Sequence, residues 1–273
     1  MAGPLLTPNL DANPFVEVFF DPSSLAAGTS VLRIWRYSED RQWKVRGGWD
    51  MLPGAAAIDW EAPFRTQCTY RAEQFTAGGA SLGFTDSAVA SLDADGTWVH
   101  NPLEPAQGVR VEVDDESAVE IVRPTPGQAV YTEGGSVPRR IGSRRRALEG
   151  VNVVLNIDSA ARIAAFEAAL GSYENEQVGV LCIRTAEPVM WPRTFFAAAD
   201  GWPKQDRTVR TGGDWVQIKA KCDEVEPPAP GIVAPFLRYS DLDAAYPSLA
   251  NRDARYGTYS AQDRDYSLVG VAG

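Results

Sequence analysis

Residues 150–183 read GVNVVLNIDSAARIAAFEAALGSYENEQVGVLCI, and this stretch decides the fold. Apolar residues at 151, 153, 155 and 157 alternate with Asn152 and Asn156, and this period of two predicts a strand with one buried face. A helix over 158–170 is predicted next, with Asp158 as its N-cap and Gly171 at its end. The stretch therefore begins as a strand followed by a helix.

The helix and the strand after it are both expected to pack against apolar neighbours. Ile163, Phe166 and Leu170 share one helical face. The run Val178–Ile183 is apolar on both faces apart from Gly179, which is typical of a central strand in a sheet. We therefore predict a strand–helix–strand unit that forms part of a larger sheet.

Composition limits the class of protein. The chain has 273 residues, long enough for one domain or for two modest ones, and its 44% hydrophobic content is ordinary for a globular protein. Its 36 acidic and 26 basic residues give a net charge of −10. Nucleic acid and anionic membranes attract basic surfaces, so this balance argues against both as general partners.

Cysteine usage and the apolar runs bear on the compartment. Cys68, Cys182 and Cys222 are an odd number without close spacing, and we interpret them as reduced thiols of a protein made in a cytoplasm. The first residues, MAGPLLTPNL, have neither the basic region nor the apolar region of a secretion signal. No run is apolar enough for a membrane span, so we expect none.

The first hundred residues have the pattern of an all-β domain. Residues 1–14 contain three prolines and are predicted to be an N-terminal extension. Over 15–108, runs of aromatic and β-branched residues are separated by Gly, Pro, Asp and Ser, which predicts a two-layer β-sandwich. One large aromatic residue per strand is expected to fill its core, with a ligand-stacking role as the alternative: Trp35, Trp60, Tyr70 and Trp98.

Two segments of this region carry a resemblance to a known family. The first, IDWEAPFRTQCTYRAEQF at 58–75, contains Asp59 to Pro63 and then Tyr70 and Arg71. The second, WVHNPLEP at 98–105, contains Trp98 and the sequence Asn101-Pro102-Leu103. Together they resemble the first domain of minor tail proteins from siphophages of actinobacteria. The resemblance implies a fibronectin type III-like sandwich that closes on the second segment.

A second domain is predicted over 109–226, with the boundary between 104 and 125. It is expected to be mostly antiparallel β with the one helix at 158–170, and its last strands to form a hairpin through the turn Gly212-Gly213-Asp214. This region is also similar to the family's second domain, where the segments 140–144 and 181–184 occupy the places of two recurring strands. The resemblance spans about 210 residues in all.

Five arginines occur within eight residues of this acidic chain: Arg139, Arg140, Arg144, Arg145 and Arg146. Nucleic-acid binding is one interpretation, but the region lacks interleaved aromatic residues and a recognition-helix pattern. A solvated strand edge is a second. The interpretation we favour is a subunit interface at which the arginines meet carboxylates of a neighbouring chain.

The last part of the chain, 227–273, is predicted to be a proline-rich linker followed by an extended C-terminal arm. From residue 232 onward it has too few aliphatic residues to build a core of its own. Aromatic anchors into neighbouring subunits are therefore expected, with an unattached tail as the alternative: Phe236, Tyr239, Tyr246, Tyr256, Tyr259 and Tyr266.

The sequence offers little catalytic chemistry. His100 is its only histidine, which we interpret as a surface or capping residue, and it contains no CxxC pair, no phosphate-binding P-loop and no dinucleotide fingerprint. The acidic run Asp114-Asp115-Glu116 has no apolar surroundings in the sequence to raise a pKa. We predict that the chain is not an enzyme and has no catalytic residue, cofactor or metal site.

The resemblance implies a structural role in the virion. The chain is expected to be a distal-tail-like baseplate protein of a siphophage tail tip, assembled in the host cytoplasm. Its partners would be copies of itself and other tail proteins, namely the tail tube, hub, tape measure or receptor-binding proteins. The alternative is a receptor- or carbohydrate-binding module on the host-facing side of the tail.

Overall fold

The computed structural model describes residues 3–10, 13–171, 179–207, 214–228, 239–246 and 248–256. They belong to two compact units, one that ends at Pro228 and one that begins at Ala229. The first unit is built mainly of antiparallel strands around two hydrophobic cores. The prediction of a mainly β protein is confirmed.

Two antiparallel sheets enclose the first core. One has the strand order β1-β2-β5, and the other has the order β4-β3-β6-β7 with β8 also paired to β6. Alternation places residues such as Leu32 and Ile34 inside, between the sheets. The strands are β1 (Leu5–Asn9), β2 (Phe15–Phe19), β3 (Val31–Ser38), β4 (Arg41–Lys44), β5 (Ala56–Asp59), β6 (Gln67–Phe75), β7 (Ser81–Phe84) and β8 (Ala88–Ser91); short 3-10 helices span Pro22–Ser24 and Arg46–Gly48.

The segment predicted to be an N-terminal extension contributes an edge strand to the first sheet. Leu5 to Asn9 pair in antiparallel register with Phe15 to Phe19. Pro8 is tolerated there because an edge strand leaves one row of backbone N–H groups unused. Residues 5–9 are therefore part of the sheet and do not merely lead into it.

A six-stranded barrel encloses the second core. Its sheet has the order β13-β10-β9-β14-β15-β17-β16, and a further pairing of β13 with β17 closes the barrel and leaves β16 outside. The elements are β9 (Thr97–His100), β10 (Gly108–Val113), β13 (Val151–Ile157), α1 (Ala160–Leu170), β14 (Val180–Thr185), β15 (Thr194–Ala198), β16 (Lys204–Asp206) and β17 (Val216–Glu224).

The strand β9 lies in the barrel, although the sequence predicted that this segment closes the sandwich. Val99 is paired with Val109 on one side and with Ile183 on the other. A strand of four residues carries too little local information to choose its partners, so long-range pairing decides where it lies. The sandwich strands therefore end at Ser91.

The strand–helix–strand unit around α1 forms largely as predicted. β14 lies between β9 and β15, and five of its six residues are buried, as expected for a central strand. Phe166 and Ala169 on the helix are buried, and Gly171 ends the helix with φ of 88°. The N-cap is Ser159, not Asp158, because the Ser159 hydroxyl accepts the Arg162 backbone N–H while Asp158 pairs with the Arg162 side chain.

The strand that pairs with β17 in antiparallel register is β16, which precedes the first strand predicted for the C-terminal hairpin. That predicted first strand, 208–211, lies outside the described residues. In β17, Val216, Ile218 and Ala220 are buried while Lys221 is exposed, as the alternation predicted. The predicted turn glycines, 212 and 213, lie outside the described residues.

Between β10 and β13 the chain forms a long antiparallel ribbon, residues 122–149. A bridge joins Val122 to Glu149, and backbone hydrogen bonds follow from Arg146 to Pro124 and from Ser143 to Pro126. The ribbon ends in the paired strands β11 (Gly127–Val130) and β12 (Arg139–Gly142). Every residue of these two strands is exposed, so the ribbon stands clear of the barrel.

The described part of the second unit is helical, and the prediction of an extended arm is wrong for it. α2 spans Tyr239–Ala245 and α3 spans Leu249–Arg255. The Ser248 hydroxyl accepts the Asn251 N–H and starts α3. The rings of Tyr246 and Tyr256 meet edge to face at 5.7 Å, so local contacts favour the helical pair over an extended chain.

Candidate functional site

The basic cluster predicted from the sequence lies on the ribbon. All five arginines, Arg139, Arg140, Arg144, Arg145 and Arg146, are exposed. Arg140 donates to the Thr125 carbonyl at 2.5 Å. Among the described residues, the side chains of the other four have no hydrogen-bond or ion-pair partner. The structure thus brings these arginines together on a projecting element and leaves most of their donors unused.

The ribbon also exposes apolar side chains. Val137 is 76% exposed, and Tyr131 and Ile141 are each 66% exposed. Ile141 lies opposite Gln128, and Val130 lies opposite Arg139, so one face of the ribbon carries both apolar and cationic groups. A two-stranded ribbon without a packing partner is marginally stable in water. Both faces of the ribbon at 127–142 are exposed, so another molecule can pack against either face and stabilise it.

An acidic groove lies on the barrel beside the start of α1. Its volume is about 800 Å³, and it is formed by the end of β10, the loop after it, the first turn of α1 and the loop between β14 and β15. Three carboxylates in it are exposed and have no side-chain partner among the described residues: Glu112, Asp115 and Glu187. Arg110 and Arg162 also line the groove, so its charge is mixed but predominantly negative.

Asp114 shapes the groove and is already engaged. Its carboxylate accepts the Glu116 backbone N–H at 3.0 Å and the Asn156 side-chain amide at 2.9 Å. These hydrogen bonds favour the charged form and lower the pKa of Asp114. Asp114 therefore fixes the acidic loop, while its neighbour Asp115 remains free for an external cation.

A buried ion pair lies inside the sandwich. Arg36 Nη1 donates to both Asp59 oxygens at 2.8 and 2.9 Å, and the Tyr70 hydroxyl donates to Asp59 at 2.9 Å. Burial disfavours the charge on Arg36, but Asp59, Tyr70 and Cys68 together outweigh it and raise the pKa of Arg36. The sequence motif Asp59 to Pro63 and Tyr70 thus contributes to the core and not to an open site.

A second buried network joins the sandwich to the barrel. Arg184 on β14 donates to Asn13 at 2.6 Å and to the Ala62 carbonyl at 3.2 Å, and its guanidinium lies 4.6 Å from the Phe64 ring centroid. Burial lowers the pKa of Arg184 to about 10. Because Arg184 reaches across from the barrel to two sandwich residues, this network stabilises the joint between the two cores.

Glu61 and Arg46 form a further pair at this joint. Arg46 Nε lies 3.0 Å from Glu61 Oε1, and each side chain is 7% exposed. Burial raises the pKa of Glu61 to about 7, although Arg46 opposes the shift. Thr194 on β15 donates to the Glu61 carbonyl at 2.9 Å, which adds another link between sandwich and barrel.

His100 is not the surface or capping residue that the sequence suggested. Its side chain is fully buried in β9, and in the turn after this strand Asn101 accepts the Leu103 N–H at 2.8 Å. Burial, together with Arg184 and Arg46, lowers the pKa of His100 well below its ordinary range. The imidazole is therefore neutral and enclosed, which does not suit it to exchange protons with a substrate.

The predicted aromatic core is only partly correct. Tyr70 is buried, but Trp35, Trp60 and Trp98 are half-buried. In β3 the alternation turns Arg36 inward and Trp35 outward, because Asp59 and Tyr70 supply polar partners inside. Cations lie over several outer rings, as Arg33 does over Trp49 and Arg71 over Phe84.

The cysteines are free and buried, so they have little reactivity. Burial raises the pKa of Cys68 to about 11 and that of Cys222 to about 12, and it also raises the pKa of Cys182. Thiols at such pKa values are protonated near neutral pH and are poor nucleophiles. Within the ranges that the structure describes, no cluster of three or more His, Cys, Asp or Glu residues could hold a metal ion.

The predicted anchors of the C-terminal arm are placed only in part. Tyr246 and Tyr256 contact each other within the second unit, and their hydroxyls lie 3.2 Å apart. Tyr239 begins α2, but its side chain is not described, and Phe236, Tyr259 and Tyr266 lie outside the described residues. No helix in the described part of the chain is long and apolar enough to cross a membrane.

Sequence reasoning missed the acidic groove and the buried ion pairs. The acidic turn at 114–116 was visible, but nothing local placed Glu187 beside it. The inward position of Arg36 had a signal, since it shares the register of Leu32 and Ile34 in an alternating strand. A scan against protein-family models and a search of the curated proteins found no match to this chain.

Proposed function

We propose that this chain is a structural subunit of a siphophage tail tip, which joins the end of the tail tube to the hub or receptor-binding proteins. The single observation that carries the proposal is the ribbon at 122–149, which is exposed on both faces and bears unpaired arginines. An element of this kind gains most of its stability from a neighbouring subunit. A structural subunit that assembles with neighbouring subunits would use such a ribbon as a contact surface.

The interior of the chain is consistent with a scaffold. The three protonated thiols and the neutral imidazole of His100 are enclosed and cannot meet a substrate. In this proposal the sandwich is fibronectin type III-like, the protein is not an enzyme, and it occupies the tail tip of a virion assembled in the host cytoplasm. The resemblance of 58–75 and 98–105 to minor tail proteins supports the same assignment.

The alternative function is a receptor- or carbohydrate-binding module. Such a module needs solvent-facing aromatic rings on which a sugar can stack. The sandwich offers half-exposed rings, but Arg33 and Lys44 lie over Trp49, and Arg71 lies over Tyr37 and Phe84. These cations compete with a sugar for the ring faces, so the structural role is favoured.

Two measurements test the proposal. Immunogold electron microscopy with an antibody against this chain should label one end of the tail in virions that carry it, and label that is absent from tails would contradict it. A glycan array with the purified protein should give no signal. A signal that disappears when Trp49 is replaced by Ala would instead favour the binding module.

A further inference from the structure

The exposed charges of the ribbon and of the groove are of opposite sign. The ribbon carries Arg139, Arg144, Arg145 and Arg146 without partners among the described residues, and the groove carries the similarly unpaired Glu112, Asp115 and Glu187. Unpaired cations on one surface and unpaired anions on another are what complementary interfaces bring together. Each surface therefore has the charge that the other one lacks.

Both surfaces adjoin the same strand, β13. The ribbon is the upstream continuation of β13, since Leu148 still exchanges backbone and side-chain hydrogen bonds with Glu224 of β17. Glu112 lies opposite Asn156, close to the last residue of β13. The six steps from Val151 to Ile157 span about 20 Å of strand. Glu112 thus lies near the last residue of β13, but the acidic loop runs back along the strand, where the Ala118 N–H donates to the Asn152 carbonyl. The arginines have no partner in this groove of their own subunit and remain free for one on another copy.

The ribbon is long enough to reach another molecule. From Val122 to Gly134 it extends about 40 Å at about 3.3 Å per residue. A unit of this size has a radius of gyration of about 17 Å. Because every residue of β11 and β12 is exposed, the ribbon projects beyond the barrel. Arg139 lies opposite Val130, and Arg146 lies opposite Pro124 nearer the base.

We propose that the ribbon of one copy docks on the acidic groove of a second copy, with its arginines against Glu112, Asp115 and Glu187. The groove volume of about 800 Å³ admits side chains but not the ribbon itself, so the arginines enter while the backbone lies across the rim. The contact joins two different surfaces, so it is heterologous and propagates into a ring or a filament. This inference rests on the proposed function and names the partner surface of its interface.

Cysteine pairing between two differently labelled full-length proteins tests the contact directly. The native cysteines are buried, so introduced ones report position. A protein with Arg145→Cys mixed with one carrying Asp115→Cys should form a disulfide-linked dimer under mild oxidation. The matched control replaces either partner with Ala77→Cys, an exposed site in the turn between β6 and β7, and should give no more than background.

Charge reversal tests the chemistry of the contact. Arg144→Glu, Arg145→Glu and Arg146→Glu together should weaken self-association, measured by sedimentation velocity, by about tenfold or more, and so should Glu112→Lys, Asp115→Lys and Glu187→Lys. A mixture of the two reversed proteins should associate again. Three exposed carboxylates elsewhere, changed by Asp93→Lys, Glu226→Lys and Asp253→Lys, serve as the control and should leave association nearly unchanged.

The outcomes separate this inference from the proposed function. Self-association that is indifferent to both reversals, or cross-linking at the level of the control, overturns the docking while the tail-tip role stands if tails are labelled. A chain that remains monomeric and labels no tail overturns both. Cross-linking together with restored association in the mixture establishes the contact.

Discussion

Arg36 and Asp59 form an ion pair at 2.8 Å inside the sandwich, with side chains that are only 1% and 2% exposed. Tyr70 completes it from the neighbouring strand by donating to the same carboxylate. Removing one partner would leave a buried charge without compensation. The stability of the sandwich core therefore depends on both members of this pair.

Asp59→Ala should therefore destabilise the protein strongly. We expect the free energy of unfolding in urea to fall by about 3–5 kcal/mol. The exposed pair of Arg65 and Asp95 is the control, and Asp95→Ala should cost less than about 1 kcal/mol. Similar losses of unfolding free energy at both sites would show that the buried pair contributes no more to stability than the exposed one.

Glu61 should make stability depend on pH. The pKa of Glu61 is raised from 4.5 to about 7, so between these values the folded protein holds a proton that the unfolded chain releases. The stabilisation from this group is complete below pH 4.5 and is lost as the pH rises to 7. Glu61→Gln should remove this fall in the free energy of unfolding, which amounts to roughly 1–3 kcal/mol. Urea unfolding at pH 5, 6, 7 and 8 measures it, and parallel profiles for the two proteins would refute it.

Gly108→Ala should disturb the joint between sandwich and barrel. A Cβ at Gly108 would lie 2.3 Å from Asn13 Cγ, and Asn13 accepts from Arg184 and donates to the Pro105 carbonyl. Displacement of Asn13 would leave the buried Arg184 with one partner fewer, so we expect a loss of about 1–3 kcal/mol. Thermal melting of both variants measures the loss. Gly201→Ala is the control, since a Cβ there meets nothing within 4 Å, and it should leave stability nearly unchanged.

Replacing Arg144, Arg145 and Arg146 with Ala should impair assembly and spare the fold. These side chains are exposed, and such substitutions usually change stability by less than about 0.5 kcal/mol. Thermal melting should stay the same while incorporation into tails falls. Tight binding of the unmodified protein to duplex DNA, with a steep dependence on salt, would instead favour the nucleic-acid interpretation.

A chain that ends at Pro228 should fold and remain soluble. The described residues that form the two hydrophobic cores all lie in the first unit. We expect its melting temperature to lie within about 4 °C of that of the full chain. If the second unit contributes contacts to neighbouring subunits, the shortened chain should no longer be incorporated into tails. Normal incorporation would show that the ribbon makes the necessary contacts without the second unit.

Local patterns in the amino-acid sequence determined much of this protein. The alternation in 151–157, the helical face at Ile163 and Phe166 and the C-cap Gly171 all predicted what forms, because each depends on residues within a few positions of one another. The exposed arginine cluster was likewise visible in the sequence. These features concern which face of an element is buried, and periodicity encodes that directly.

The tertiary structure alone decided which elements meet. The pairing of Val99 with Val109 and Ile183, the closure of the barrel by β13 and β17, and the gathering of Glu112 and Glu187 in one groove all join residues distant in the chain. Several registers satisfy the same alternating pattern, and only the packing of complete cores selects one. The pairing of Arg36 with Asp59 has the same origin, because burying a guanidinium is costly unless the folded chain brings polar partners to it.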